Sequence, residues 1–157
     1  MITKVRPKKK DQSSLWLPDH VFLQCERAFV FSSVDVIVVS EGSFLLGLRR
    51  IEPGKGTWAL PGGIVRRGEL REDTVYRITK LDTGLDVSIT HFLGVYDHLW
   101  PTRQYIVNCY VTTIKSGNTS NLPNLQTELT NLRFFDTIPD NTHPNYTCML
   151  EDAGWRR

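Results

Sequence analysis

The sequence is poor in cysteine and has no long apolar run. Its three cysteines, Cys25, Cys109 and Cys148, are far apart and lack the paired spacing of a disulfide framework or a zinc site. No stretch is long enough to span a bilayer, and the N-terminus lacks the apolar core of a signal peptide. We therefore expect reduced thiols, no membrane partner and a cytoplasmic protein.

Net charge is also low, at +2 over 157 residues. Much of the positive charge lies at the ends of the chain, and residues 1–14 are polar and basic. This pattern favours a flexible, solvated tail over an arm that binds nucleic acid. We expect no nucleic-acid partner, and a single domain over residues 15–157, long enough to bury a core.

Hydrophobic patterning predicts several strands around one well-marked helix. A β-branched run and the apolar run after it are separated by a Ser-Glu-Gly-Ser turn, which predicts a hairpin. Apolar spacing predicts a helix with a core stripe at Leu70, Thr74, Ile78 and Leu81. Such an arrangement indicates an α+β or α/β sandwich. The predicted elements are a short helix after Pro18, strands over 34–40, 44–49, 85–99, 104–114 and 132–135, and helices over 69–83 and 145–153.

The stretch from Trp58 to Leu85 carries the clearest functional signal. It predicts a strand that ends in Gly62-Gly63, then a loop, then a helix that ends at Gly84. Two glycines allow the backbone to approach a ligand, and carboxylates follow on the helix. This combination suggests a hard cation with phosphate ligands.

For two charged residues outside this stretch, the sequence allows either a structural role or a role in a site. Asp35 interrupts an apolar strand, so it either faces solvent, is paired, or serves a site. Arg49 ends the second strand beside a Pro-Gly-Lys-Gly loop, where it either holds phosphate in a bidentate contact or is a solvated charge.

The spacing from Gly63 onward resembles the Nudix box, GX5EX7REUXEEXGU with U aliphatic. The matching positions are Gly63, Glu69, Arg77, Gly84 and Leu85. Three acidic positions of the box hold Ile78, Leu81 and Asp82 instead of glutamate. The chain is therefore similar to a Nudix hydrolase with a depleted metal site. This resemblance implies an α/β/α sandwich, in which a mixed sheet is flanked by helices.

Arg77-Ile78-Thr79 is similar to the Arg-Leu-Thr of one Nudix branch, the GDP-mannose mannosyl hydrolases. Further segments over residues 15–150 resemble that branch in the same order. The resemblance implies a homodimer that hydrolyses a nucleotide sugar with one Mg²⁺, or Mn²⁺ in its place. Water attacks the anomeric carbon, and GDP leaves with inversion of configuration. One metal suffices because only the departing diphosphate needs neutralisation.

The resemblance also implies roles for individual residues. Gly62 and Asp82 are similar to metal ligands. Glu69 and Arg77 resemble a structural ion pair that braces the loop against the helix. The residues that the resemblance places against the diphosphate or the sugar are Asp35, Arg49, His98 and Tyr105.

The strongest departure from the branch precedes the last strand. Glu128 and Leu129 stand where the branch has a Gln metal ligand and a His general base. Leucine cannot accept a proton, so we expect Glu128 to bind the metal and act as the base, with His143 as an alternative. Two rival functions stay open. One is a Nudix pyrophosphohydrolase that attacks phosphorus, and the other is a nucleotide-sugar-binding module without catalysis.

Overall fold

A computed structural model describes residues 17–120, 122 and 128–157. The basic tail predicted over residues 1–14 lies outside these residues. The helices are α1 (Asp19–Ala28), α2 (Arg71–Thr83) and α3 (Pro144–Asp152). The strands are β1 (Phe31–Ser40), β2 (Ser43–Arg49), β3 (Trp58–Ala59), β4 (Gly62–Ile64), β5 (Asp86–Trp100), β6 (Arg103–Ser116) and β7 (Leu129–Phe135).

The strands form one mixed sheet in the order β3-β2-β1-β6-β5. β1 and β6 are parallel, whereas the other strand pairs of the described chain are antiparallel. β4 pairs with β1 and β7 pairs with β2, away from the main path. The predicted hairpin of β1 and β2 is present, with Val39 opposite Phe44.

Alternation along β1 divides the core into two layers. Val34, Val36 and Val38 pack in the cluster that contains Val75 of α2. Ile37 belongs to the other cluster, which contains Met149 of α3. Because successive strand side chains face opposite sides of a sheet, α2 and α3 cover opposite faces. The fold is the predicted α/β/α sandwich.

Helix α2 ends at a glycine, and two residues of its predicted core stripe lie elsewhere than expected. Gly84 follows its last residue with a φ of 73°, a left-handed conformation that glycine adopts without strain. Leu70 lies before the first turn rather than within the helix. Leu81 is 53% exposed, so its predicted place in the core stripe is wrong. The side of the helix that carries Leu81 faces an open cleft instead of the sheet.

Two predicted boundaries in the second half also differ from the structure. β5 continues through the predicted turn at residues 96–101, and the chain turns only at Pro101-Thr102. β7 begins at Leu129 instead of Leu132. None of the described helices has the length and apolar character needed to cross a membrane.

Candidate functional site

A cleft of about 510 Å³ lies where β1, β4 and α2 meet, and we call it the cleft throughout. α1 and the segment after β2 also contribute to its walls. Most residues proposed from the sequence line it. These are Asp35, Arg49, Gly62, Arg77, Asp82, Tyr105 and Glu128, whereas Glu69 and His98 are not among the lining residues.

The two glycines of β4 are required by close contacts on both sides. Gly62 lies opposite Asp35 in the antiparallel pairing of β4 with β1. A Cβ on Gly62 would overlap Oδ1 of Asp35, and a Cβ on Gly63 would lie 2.5 Å from Cδ1 of Ile78. A side chain at either position would displace the Asp35 carboxyl or the end of the Ile78 side chain. The glycines therefore bring backbone, carboxylate and helix together.

Asp35 and Asp82 are buried carboxylates that share this end of the cleft, with exposed fractions of 6% and 7%. Burial raises the pKa of Asp35 to about 8, partly offset by Arg49 and increased by the charge of Asp82. Oδ2 of Asp35 is buried and receives no hydrogen bond from any described residue. A buried acceptor without a partner is costly, so this oxygen is suited to a ligand or a cation.

His98 lies behind Asp35 rather than in the cleft wall. Its side chain is 5% exposed, and its Nδ1 lies 3.8 Å from Oδ2 of Asp35. Burial lowers the pKa of His98 to about 4, so the imidazole is neutral at pH 7. Any action of His98 on a ligand must therefore pass through Asp35.

Arg49 is one of the arginines that line the cleft, and its side chain is 11% exposed. Its Nε donates a 2.7 Å hydrogen bond to the carbonyl of Pro53, and its guanidinium lies 5.9 Å from the centre of the Trp100 ring. Nη2 is 3.7 Å from Oε2 of Glu128. These contacts hold the guanidinium in place, which favours bidentate binding of a phosphate.

Glu128 and Leu129 have very different surroundings. The carboxylate of Glu128 is 63% exposed at the rim of the cleft, next to Arg49. Leu129 also lines the cleft, but it is only 4% exposed and packs in the core against Gly47. His143, the alternative base, is not among the cleft-lining residues. It caps α3 by accepting the Asn145 N–H, and its ring stacks on Trp100.

Glu69 precedes α2 and joins the loop to the helix. Nε and Nη2 of Arg77 donate to its two oxygens at 2.6 and 2.8 Å, and Nη2 also donates to the Ile64 carbonyl. Burial alone would raise the pKa of Glu69. The hydrogen bonds from Arg77, from the Arg66 N–H and from Thr74 outweigh burial and lower it. Glu69 therefore stays ionised and holds Arg77 against β4.

Sequence reasoning missed Glu26 and Arg103, which line the cleft together with Tyr105. The Tyr105 hydroxyl donates to Oε1 of Glu26, and Arg103 Nη1 donates to the same oxygen at 2.8 Å. Glu26 is four residues after Phe22 on α1, which places both on one face of that helix. That spacing was the only local signal, because the partners of Glu26 are far away in sequence.

The donor set around the cleft fits a single hard divalent cation. Asp82 supplies carboxylate oxygens beside the backbone of Gly62, and such oxygens suit Mg²⁺ or Mn²⁺. Among the described residues no group of three or more His, Cys, Asp and Glu side chains is placed to hold a metal ion. Glu128, Asp35 and Asp82 therefore do not form such a group of three carboxylates. Water and phosphate oxygens would have to complete the coordination.

Comparison with known proteins gives consistent relatives. A model of the NUDIX domain matches residues 31–138. The chain is 28% identical over 142 residues to the low-salt glycan biosynthesis protein Agl8 of Haloferax volcanii, a match that covers 85% of this chain and 88% of that protein. It is 44% identical over 64 residues to an ADP-ribose pyrophosphatase of Methanocaldococcus jannaschii, covering 41% of this chain and 38% of that protein.

A solved structure supports the same fold. The MutT NUDIX hydrolase from Burkholderia pseudomallei superposes with a TM-score of 0.70. It is 24% identical and covers 79% of this chain and 98% of the other. At this identity the likeness concerns the arrangement of the sheet and helices.

Proposed function

The chain belongs to the Nudix family, and we propose from that premise that it is a nucleotide-sugar hydrolase of the GDP-mannose mannosyl hydrolase type. The substrate is a GDP-sugar, the bond that breaks joins the anomeric carbon to the diphosphate oxygen, and water supplies the new oxygen on the sugar. Nudix hydrolases use a divalent metal such as Mg²⁺. The single cation that the cleft fits is proposed to be Mg²⁺ or Mn²⁺.

One observation carries this proposal, namely the shortage of carboxylates on the cleft side of α2. Four residues of this helix line the cleft, and only Asp82 among them is acidic. The others are Arg77, Ile78 and Leu81. Hydrolysis at phosphorus commonly uses two metals, which neutralise both the entering and the leaving oxygen. Attack at carbon needs charge compensation only on the departing diphosphate, which one cation and one arginine supply.

The protein's own residues have distinct proposed roles. Asp82 and the backbone carbonyl of Gly62 would hold the cation, which when bound would supply positive charge against the diphosphate. The guanidinium of Arg49 donates hydrogen bonds to the same diphosphate as the glycosidic C–O bond breaks. Glu128 accepts the proton of the attacking water at the rim of the cleft.

Asp35 is proposed to accept a hydrogen bond from the sugar. His98 lies behind Asp35, with its Nδ1 3.8 Å from Oδ2, and is proposed to limit the movement of that side chain by packing against it. Tyr105 contributes its ring to the wall beside them, while its hydroxyl is occupied by Glu26.

The relative from Haloferax volcanii supports a sugar-containing substrate, because its name assigns it to glycan biosynthesis. The match extends over most of both chains. A second candidate function is favoured by the relative from Methanocaldococcus jannaschii, whose name is ADP-ribose pyrophosphatase. In that case water attacks phosphorus, and Glu128 activates it.

Hydrolysis of GDP-mannose in ¹⁸O-labelled water distinguishes the two reactions. The proposal predicts the label in mannose, with GDP as the other product. Label in GMP or in mannose phosphate would establish attack at phosphorus and refute the proposal. Binding without turnover at any magnesium concentration would indicate a binding module instead. Arg49→Gln removes the proposed diphosphate contact and should lose most of the activity, whereas Arg50→Gln, at the exposed arginine next to it, is the matched control and should retain the activity.

A further inference from the structure

Glu26 is a buried acid to which the proposed reaction gives no role. It lies on α1, lines the cleft, and its side chain is only 3% exposed. Arg103 and Tyr105, both on β6, donate hydrogen bonds to its Oε1. These contacts fix the carboxylate in one orientation and tie α1 to the beginning of β6.

The second oxygen of this carboxylate has no hydrogen-bond donor among the described residues. None of the residues that the structure describes donates a hydrogen bond to Oε2 of Glu26. Oε2 is also not one of the fully buried side-chain atoms that lack a partner, so this oxygen stays accessible from outside the protein core. Since Glu26 lines the cleft, a ligand in the cleft can supply the missing donor.

The surroundings of Glu26 include an aromatic surface. Phe22 lies one helical turn before Glu26 and lines the same cleft. Its ring stacks on Phe31, with ring centres 5.9 Å apart. A flat aromatic side chain next to a fixed hydrogen-bond acceptor suits a planar or ring-shaped ligand group that carries donors along one edge.

We propose that Glu26 is a specificity-determining residue that accepts hydrogen bonds from adjacent N–H or O–H donors of the ligand. Two parts of a nucleotide sugar present such donors: the N1–H and amino group of guanine, and a vicinal diol of the sugar. A group that presents an acceptor here, such as N1 of adenine, is rejected because two acceptors repel. The inference rests on the proposed function only in placing a nucleotide sugar in the cleft. Arg103 and Tyr105 act as positioning residues for the carboxylate.

Glu26→Gln tests the role with little change in shape. Its amide oxygen can still accept from Arg103 and Tyr105, whereas its amide nitrogen replaces Oε2 with a donor. Calorimetry with Mg²⁺ should measure the Kd of GDP, inosine diphosphate, ADP and GDP-mannose for both proteins. Losing a hydrogen bond to a charged group corresponds to about 10- to 100-fold weaker binding. Glu151→Gln, at an exposed glutamate of α3, is the matched control, and thermal unfolding verifies that each variant is folded.

Two patterns of the measured Kd values support the proposal, and each identifies the ligand group that Glu26 contacts. If Glu26 recognises guanine, GDP binding weakens about 10- to 100-fold and the preference of the wild type for GDP over inosine diphosphate and ADP is reduced. If Glu26 recognises the sugar, GDP binds both proteins equally and only GDP-mannose binds the variant more weakly. Either pattern can occur without turnover, so the proposed reaction can fail while this inference holds.

Equal affinities of Glu26→Gln and wild type for all four ligands would overturn the inference. Failure of the wild type to bind any of them would overturn it as well. A purely structural ion pair would change thermal stability without changing the order of the four affinities. The order of affinities is therefore the deciding measurement.

Discussion

Replacing Asp35 by asparagine should change how stability depends on pH, because the folded chain buries this carboxyl next to a neutral histidine. Burial raises the pKa of Asp35 from its ordinary value near 3.9 to about 8. It lowers the pKa of His98 from about 6.5 to about 4. Each group therefore binds a different number of protons in the folded and unfolded chains.

The two groups act in opposite directions. Between pH of about 4 and 8 the folded chain keeps the proton of Asp35 that the unfolded chain releases. The free energy of unfolding therefore falls as pH rises, by at most about 1.4 kcal/mol per pH unit. Between pH of about 4 and 6.5 the unfolded chain binds a proton that folded His98 excludes, which gives a slope of opposite sign. The two contributions to the slope of the free energy of unfolding cancel between pH of about 4 and 6.5. Above pH of about 6.5 only the titration of Asp35 changes this free energy.

Urea unfolding at a series of pH values, with EDTA to remove cations, measures how the free energy of unfolding depends on pH. From these two groups the wild type should have a nearly constant stability up to pH of about 6.5 and then lose about 2 kcal/mol by pH 8. Asp35→Asn should gain stability up to pH of about 6.5 and then stay level, because only His98 titrates. Asp140→Asn, at an exposed aspartate, should follow the wild type. Parallel curves for Asp35→Asn and the wild type would refute the reasoning.

Three further variants give separate outcomes. Gly47→Ala places a Cβ 2.8 Å from Cβ of Leu129 and should lower the free energy of unfolding by about 1–3 kcal/mol in urea titrations. Gly94→Ala, with its nearest contact at 3.4 Å, is the control, and equal losses would contradict the packing argument. Arg49→Lys loses the bidentate fork and should reduce kcat/KM for GDP-mannose about 100-fold, so unchanged steady-state kinetics would exclude the proposed diphosphate contact. The pKa of Glu69 is lowered in the folded chain, so its stabilisation is present above pH of about 4.5 and is lost as the pH falls further. In Glu69→Gln the free energy of unfolding should fall less steeply below pH of about 4.5 than in the wild type. The same steepness in both proteins would argue against the ion pair.

The regular part of the fold could be predicted because its signals are local. The hairpin of β1 and β2 follows from β-branched alternation around a glycine-containing turn, and the end of α2 follows from Gly84. Fold class then follows from the order of the elements and from the Nudix resemblance. The same signals cannot distinguish a helix face that meets the sheet from one that borders a cleft, so Leu81 was misplaced.

The other features that the sequence did not predict, the buried Glu26 and the end of β5, depend on residues far away in the chain. Glu26 is an acid on a short helix, and its hydrogen-bond donors among the described residues, Arg103 and Tyr105, are more than seventy residues away. β5 continues past the predicted turn because β6 pairs with it as far as Trp100 opposite Arg103. Burial and strand length here are set by pairing across the sheet, which composition and spacing do not encode.

The position of Leu129 limits where a catalytic base can be. It begins β7 and fills the space opposite Gly47 while also bordering the cleft, so a polar side chain there would face the site but lose packing against β2. The Arg50 N–H donates to the Glu128 carbonyl at 2.9 Å, which fixes the backbone next to β2. The carboxylate of Glu128 projects to the rim, where Arg49 is its ion-pair partner. In the proposed reaction, a diphosphate that engages Arg49 competes with this pair, so the base becomes available as the leaving group binds.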